Sequence, residues 1–135
     1  MIRLAVIDDL DFLLEHDQHI QRELMKCKIL DSQVYIATTE ADGIVGWLRY
    51  GLFWDEIPFM NMLYFLEQHR RKGLGRQVVK QWEEDMRQLG YHMVLTSTQS
   101  NEDGQHFYRR LGYVDSGVLL LPNEPAEIIL QKDLA

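Results

Sequence analysis

The sequence predicts a single α/β domain over residues 1–135, with a mixed, mostly antiparallel sheet of six to seven strands flanked by about four helices. Three observations predict it. Periodic segments follow in the order β, α, α, three strands, α, β, α, β, β, which calls for helices packed on a mixed sheet. Segments rich in β-formers between residues 33 and 66 are separated by turn-type residues, the pattern of an antiparallel meander. One helix, opening at Leu74, carries an unambiguous apolar stripe. A chain of 135 residues with 46% hydrophobic content fits one domain of ordinary size with a real core, and it shows no linker, repeat or low-complexity stretch.

Ile2 to Ile7 reads as a short apolar strand. Asp8 or Asp9 is placed to cap a helix through about His16, with Leu10, Leu13 and Leu14 on its buried side. Asp17 is placed to cap a second helix, where Ile20, Leu24 and Cys27 recur at i, i+4 and i+7, so Cys27 is expected in the core. Gln33 to Thr39 is a strand, Ala41-Asp42-Gly43 a turn, and Ile44 to Tyr50 the next strand. Met60 to Leu66 is a third, and the segment from Gly51 to Phe59 between them holds a turn with an aromatic on each side. In the long helix the stripe is Leu74, Val78, Val79, Trp82, Met86 and Leu89, with Gly90 as a left-handed cap. Tyr91 to Ser97 is a strand, Ser100 or Asn101 caps a short helix to about Arg110 that Gly112 closes, and Tyr113 to Leu121 and Ala126 to Lys132 are two final strands.

Net charge is −7, which argues against general nucleic-acid binding, because neutralising phosphates takes a surplus of Lys and Arg. It would favour cationic small molecules or basic peptides. The single cysteine permits no intrachain disulfide and suits a reducing compartment. The N-terminal segment meets two acids after a short apolar run, unlike a signal peptide, and no stretch is long enough to span a bilayer. The expected location is therefore cytoplasmic, with no membrane partner.

The junction that follows Leu66 carries the chemistry. There Arg70-Arg71-Lys72-Gly73-Leu74-Gly75 opens the long helix. The first turn of a helix has four backbone N–H groups without intrahelical partners, and the helix dipole adds partial positive charge. Glycines at 73 and 75 remove side chains, so a pyrophosphate can approach those amides. Arg70, Arg71, Lys72 and Arg76 add four positive charges to an acidic chain. Cations are unfavourable at a helix N-terminus unless an anion joins them. The Gly-Lys-Ser/Thr of a P-loop is absent, and so is the third glycine of a dinucleotide fingerprint.

This junction resembles the signature Arg/Gln-x-x-Gly-x-Gly/Ala of the GNAT family of N-acetyltransferases, matched by Arg70, Gly73 and Gly75. The stretch from Ser100 to Tyr113 is similar to the family's second hallmark, an Asn before a short helix ending in Phe-Tyr-x-x-x-Gly-Phe/Tyr. Element order matches as well, so the resemblance spans essentially the whole chain. It implies acetyl-CoA as co-substrate and no metal. It implies that the strand before the loop splays from its neighbour and that its backbone, at Phe65 and Leu66, pairs with the pantetheine amides. The amides of Arg71, Lys72, Gly73, Leu74, Gly75 and Arg76 would cradle the pyrophosphate, with Arg70 in the same site. Asn101 would bond the pantetheine arm, or serve simply as a cap, and Tyr108 would give a proton to the thiolate leaving group. That assignment agrees with the chemistry: acyl transfer to an amine passes through an oxyanion, and the departing thiolate benefits from a nearby phenol proton.

The acceptor side is less defined. Some family members use a Glu in the strand before the loop, but Phe59 to Leu66 holds no carboxylate. Glu67 at the strand end is a candidate base, or a counter-ion to Arg70 or Arg71. Asp55 and Glu56 lie in a turn beside Trp54 and Phe59, where a carboxylate and an aromatic would together bind an ammonium, or simply form a solvated hairpin tip. Trp47, Arg49 and Tyr50 are candidate cleft residues or ordinary sheet residues. His16-Asp17-x-His19 does not have the spacing of a zinc site. The expected partner is a small-molecule amine or peptide amine, and the chain is a monomer or a homodimer. A non-catalytic acyl-CoA-binding regulatory module and an anion-binding interaction domain are the rival readings.

Overall fold

The computed structural model describes residues 1–135. Seven strands form one sheet in the order β1-β2-β3-β4-β5-β7-β6. They are β1 (Ile2–Leu4), β2 (Val34–Thr39), β3 (Gly43–Phe53), β4 (Ile57–Phe65), β5 (Met93–Gln99), β6 (Val114–Leu119) and β7 (Glu127–Asp133). The helices are α1 (Leu10–His16), α2 (Arg22–Leu30), α3 (Leu74–Gln88) and α4 (Gly104–Arg110). The α/β class, the strand number and the helix number are those the sequence predicts. The chain divides into two compact units, residues 1–51 with 62–79 and residues 52–61 with 80–135.

In the first unit, β1 pairs antiparallel with β2, and β2 with β3, Ile36 lying opposite Trp47. Leu10, Leu13, Met25, Ile29, Val34, Ile36 and Trp47 form a core against which Phe12, Leu14, Ile20, Ile44 and Met62 pack. Two helix readings change here. Asp9 does not cap α1 with its side chain. Its carboxylate accepts the Val6 N–H at 2.8 Å and pairs with Arg3, which holds its pKa below the usual range. In α2 the buried residues are Met25 and Ile29, whereas Leu24 is 54% exposed and Cys27 is exposed. A nine-residue helix with apolar residues on several sides admits more than one phase, and packing on β2 and β3 selects the phase the sequence periodicity did not.

Asp17 is the larger correction. It ends α1 rather than opening α2, whose N-cap is Gln21. Its buried carboxylate accepts Arg49 Nε at 2.7 Å, Trp47 Nε1 at 3.2 Å and the His19 N–H at 3.1 Å. Burial raises its pKa, but the Arg49 guanidinium and these donors outweigh it and hold the carboxyl below the usual range. Arg49 also stands near Lys28, whose ammonium donates to the Tyr50 carbonyl at 2.7 Å and whose pKa is lowered by burial and by that neighbouring charge.

In the second unit, β5 pairs parallel with β4, Met60 opposite Thr96, and antiparallel with β7 over its whole length. Trp82, Met86, Val94, Tyr113 and Leu130 are all but inaccessible. Leu89, placed in the apolar stripe by periodicity, is 67% exposed, because α3 ends at Gln88. Gly90 does take a left-handed φ of 96°. Buried Glu83 accepts the Tyr113 hydroxyl at 2.8 Å and Lys132 Nζ at 2.9 Å, so its charge is paired and its oxygens are bonded. The β3–β4 connection is tighter than the sequence suggests. Both strands run on to a turn at Phe53–Glu56, where Trp54 and Asp55 sit at φ of 57° and 60° and Glu56 N–H closes onto the Phe53 carbonyl at 3.0 Å. Two consecutive positive φ values are the geometry of a type I′ hairpin turn.

Candidate functional site

The loop before α3 is shaped by its own side chains. Strand β4 ends at Phe65, whose ring lies where a Cβ on Gly46 would stand, 2.5 Å from the nearest ring atom. Only glycine at 46 lets the ring lie flat on β3. A single 3-10 turn, Glu67–His69, follows. Buried His69 stands with Nε2 3.1 Å from Asp42 Oδ2 in the β2–β3 connection. Arg70 then folds back: its Nε donates to the Phe65 carbonyl at 2.8 Å and its guanidinium lies over the Tyr64 ring, 5.0 Å from the centroid. The guanidinium is therefore engaged at the strand end, and its partner there is a carbonyl rather than Glu67.

Beyond Arg70 the backbone alternates in hand. Arg71 has φ of 63° and Gly73 φ of 80°, and α3 begins at Leu74. Where left-handed Gly73 meets right-handed Leu74, successive N–H groups turn toward one side, the concave arrangement that binds anions. The unbonded amides of the first turn of α3 continue it. Arg71, Lys72 and Arg76 are exposed, and α3 has no acid in its first turn. This part of the candidate site is thus made of main chain and surrounded by cations. The two strand residues expected to meet pantetheine differ. Leu66 N–H is already bonded to the Val45 carbonyl at 2.9 Å, so it faces β3 and is not available. By strand alternation the Phe65 N–H points the other way.

The second unit holds the other candidates. Tyr108 is on α4, 8% exposed, its ring edge-on to Tyr113 at 5.6 Å and to Phe107 at 5.1 Å. Its hydroxyl is 3.8 Å from Met60 Sδ. Burial pushes the phenol up to about 12, against a smaller opposing influence of Thr96, so the group carries its proton throughout the neutral range. Asn101 is exposed in the turn before α4 and does not cap it; the N-cap position belongs to Asp103. Gln105, which the sequence reading passed over, shapes that turn by donating to the Ser100 and Glu102 carbonyls at 2.9 and 3.0 Å. Its signal was weak, a single amide in a short polar helix.

Of the acceptor candidates, Trp47 is 1% exposed and its indole is bonded to Asp17 in the core of the first unit, so it is not presented to a ligand. Arg49 is likewise buried in its ion pair. Asp55 and Glu56 are exposed at the hairpin tip beside Trp54, which is 75% exposed and 4.6 Å from the Phe53 ring. Glu67 is exposed. His16 stacks on Phe12 at 4.0 Å and meets the Phe12 carbonyl through Nδ1. No helix is long and apolar enough to cross a membrane.

The profile of the acetyltransferase (GNAT) family matches residues 3–113, a span that includes both the loop and Tyr108. No curated protein sequence matches the chain. Among solved structures, a GNAT-family acetyltransferase from Bacillus cereus is 26% identical, with a TM-score of 0.77 over 98% of this chain and 96% of that one. A ribosomal-protein-alanine N-acetyltransferase from Brucella melitensis shares the fold at 19% identity and a TM-score of 0.81, covering 98% of this chain and 99% of that one. PaiA N-acetyltransferase from Thermoplasma acidophilum, solved with coenzyme A, does so at 16% identity and 0.81, covering 98% of each chain. The chain belongs to the acetyltransferase (GNAT) family.

Proposed function

We propose that the protein is an acetyl-CoA-dependent N-acetyltransferase working as one domain over residues 1–135, which transfers acetyl to a primary amine by direct attack in a ternary complex. The observation that carries the reading is the loop from Arg70 to Arg76, which opens a helix with two left-handed residues and four exposed cations, followed in the chain by a buried, protonated phenol at Tyr108. In this reading the amides from Arg71 to Arg76 hold the pyrophosphate and Arg70 holds the loop. Phe65 offers its N–H to the pantetheine arm or to the oxyanion, and Asn101 reaches the arm from its exposed turn.

The chemistry balances without a metal or a covalent enzyme intermediate. The amine lone pair attacks the thioester carbonyl, forming C–N, and the carbonyl oxygen takes the negative charge. Collapse of that adduct breaks C–S, and Tyr108 gives its proton to sulfur. The proton lost by the amine leaves through water, which restores the phenol. A phenol well above neutral pKa is a suitable acid for a thiolate, because it is fully loaded at working pH and is not lost to solvent. For the acceptor, a cationic small molecule or a peptide amine fits a chain of net charge −7 with Asp55 and Glu56 beside exposed Trp54. A cytoplasmic location fits the single cysteine.

The deciding experiment is an amine-panel screen with acetyl-CoA, read as thiol release. Saturable, amine-dependent release is expected. Tight acetyl-CoA binding, seen as a thermal shift, with no turnover on any amine would establish a regulatory module instead, and no thermal shift would leave only an anion-binding domain.

A further inference from the structure

Strand β6 ends the sheet, so one of its edges has no strand beside it. Such an edge is a template for a further strand, and proteins blunt it with charge, proline, a bulge or cover. The first half of β6 is blunted. Asp115 is held by Arg109 at 3.0 Å, and the register against β7 shifts between Asp115 and Gly117. The second half is not. Gly117 to Leu121 has no charge and no proline, and Val118, Leu119, Leu120 and Leu121 are 58%, 50%, 79% and 43% exposed. Val118 lies opposite Ile128 of β7, and Leu119 points to the other face by strand alternation, so the run is apolar on both sides. Four consecutive exposed apolar residues are a liability in a soluble chain unless something covers them.

We propose that Gly117 to Leu121 pairs antiparallel with the same segment of a second copy of this chain, about a two-fold axis at Leu119. Side-chain chemistry selects this occupant and register. Pairing about Leu119 sets Leu119 opposite the partner's Leu119, Val118 opposite the partner's Leu120 and Gly117 opposite the partner's Leu121, so every pair is apolar or holds a glycine. The two residues that interrupt a ladder then face each other just outside it: Ser116, left out of the register with β7, and Pro122, which has no N–H. An axis one residue nearer the N-terminus would set Asp115 against the partner's Leu121. An axis one residue further on would bring Pro122 into the ladder. Charge agrees with the direction. Exposed Arg110 closes α4 just before β6, and exposed Glu124 follows the apolar run. An antiparallel pair brings the basic end of one copy to the acidic end of the other, whereas a parallel pair sets like ends together. The contact is isologous, so it closes at two copies and uses up the open edge of each.

The test is sedimentation equilibrium of the full chain from about 1 to 100 μM. The wild type should show a dimer that dissociates on dilution. Leu120→Lys and Val118→Glu should each weaken it by about 10-fold or more, because each sets a charge against an apolar side chain of the partner. Mixed one to one, the two variants should associate again: the new ammonium faces the new carboxylate, and the other cross-pair is still valine against leucine. Leu24→Lys, at an exposed leucine of α2, should leave the dimer unchanged. A single-chain mass at every concentration overturns the proposal. A dimer that survives both β6 substitutions overturns it by placing the interface elsewhere. Variants that separate but stay apart when mixed overturn the register about Leu119. Both β6 sites are more than half exposed. If either variant lacks a melting transition, Leu119→Cys in a Cys27→Ser background carries the test: oxidation with diamide should cross-link it to itself, while Leu121→Cys, set opposite the partner's Gly117, should stay uncrosslinked. The reverse pattern, or no cross-link in either, counts equally against the pairing.

Discussion

The loop before α3 and the Tyr108 helix are built by opposite means. The loop is exposed and made of main chain: its geometry comes from left-handed φ at Arg71 and Gly73, from Arg70 bonded to Phe65, and from the free end of a 15-residue helix. The helix that carries Tyr108 has only seven residues, and everything it offers is one buried side chain set against Met60, Phe107 and Tyr113. A site of the first kind tolerates changes of side chain and is sensitive to changes of backbone. A site of the second kind is the reverse. In the proposed reaction the first would set affinity and the second rate, which makes the two separable in kinetics.

The largest effect separating them should come from Tyr108→Phe. It keeps the ring contacts and removes the proton, so kcat should fall by about 10²–10³ with the KM for acetyl-CoA within about twofold. A loss shared equally between kcat and binding would mean that the ring, not the proton, is what matters. Next is the alkaline limb. The folded pKa of Tyr108, about 12, lies above the ordinary 10, so its contribution to stability is complete below pH 10 and is lost as pH rises toward 12. Tyr113, pushed up by burial and by Glu83, adds in the same direction. Urea midpoints at pH 8 and pH 11 should differ by about 2–3 kcal/mol in stability, and Tyr108→Phe should lose part of that difference. Over the same range no loss of kcat is expected from Tyr108 up to about pH 10.

Gly73→Val probes the loop in the same spirit. A Cβ at position 73 meets nothing within 4 Å, so the cost is the left-handed φ of 80° itself and the obstruction of an approaching anion. The KM for acetyl-CoA should rise about 10-fold, near 1–2 kcal/mol, with kcat kept. An unchanged KM would take the cradle away from this loop. The smallest effect belongs to Arg71. Both Arg71→Ala and Arg71→Gly remove an exposed charge, but only glycine relieves the positive φ. Each should weaken acetyl-CoA about threefold at low salt and less at high salt, and Arg71→Gly should melt higher than Arg71→Ala. If either abolished binding, the side chain and not the main chain would be the ligand.

The sequence was most legible where local chemistry decides the structure. Gly73 and Gly75 at a strand-to-helix junction, Gly90 and Gly112 as left-handed stops, and the stripe Val78, Val79, Trp82 and Met86 are all local patterns, and the structure keeps them. It was least legible where a partner lies far along the chain. Asp17 reads as a helix cap because its partner, Arg49, is 32 residues away. Trp47 reads as a cleft aromatic for the same reason. Ser100 and Asn101 yield the N-cap position to Asp103, since several positions in one polar run offer equivalent starts and tertiary packing chooses between them.

The hairpin tip has an optical consequence. The chain has three tryptophans. Trp47 and Trp82 are shut away at 1% and 0% exposure, and Trp54 stands open at 75%. A collisional quencher such as acrylamide therefore dims essentially one indole, and the red-edge emission reports from residues 53–56 alone. Any amine that settles against Asp55 and Glu56 will shade that indole, so unlabelled protein can be titrated with candidate acceptors in a cuvette before a single turnover is measured.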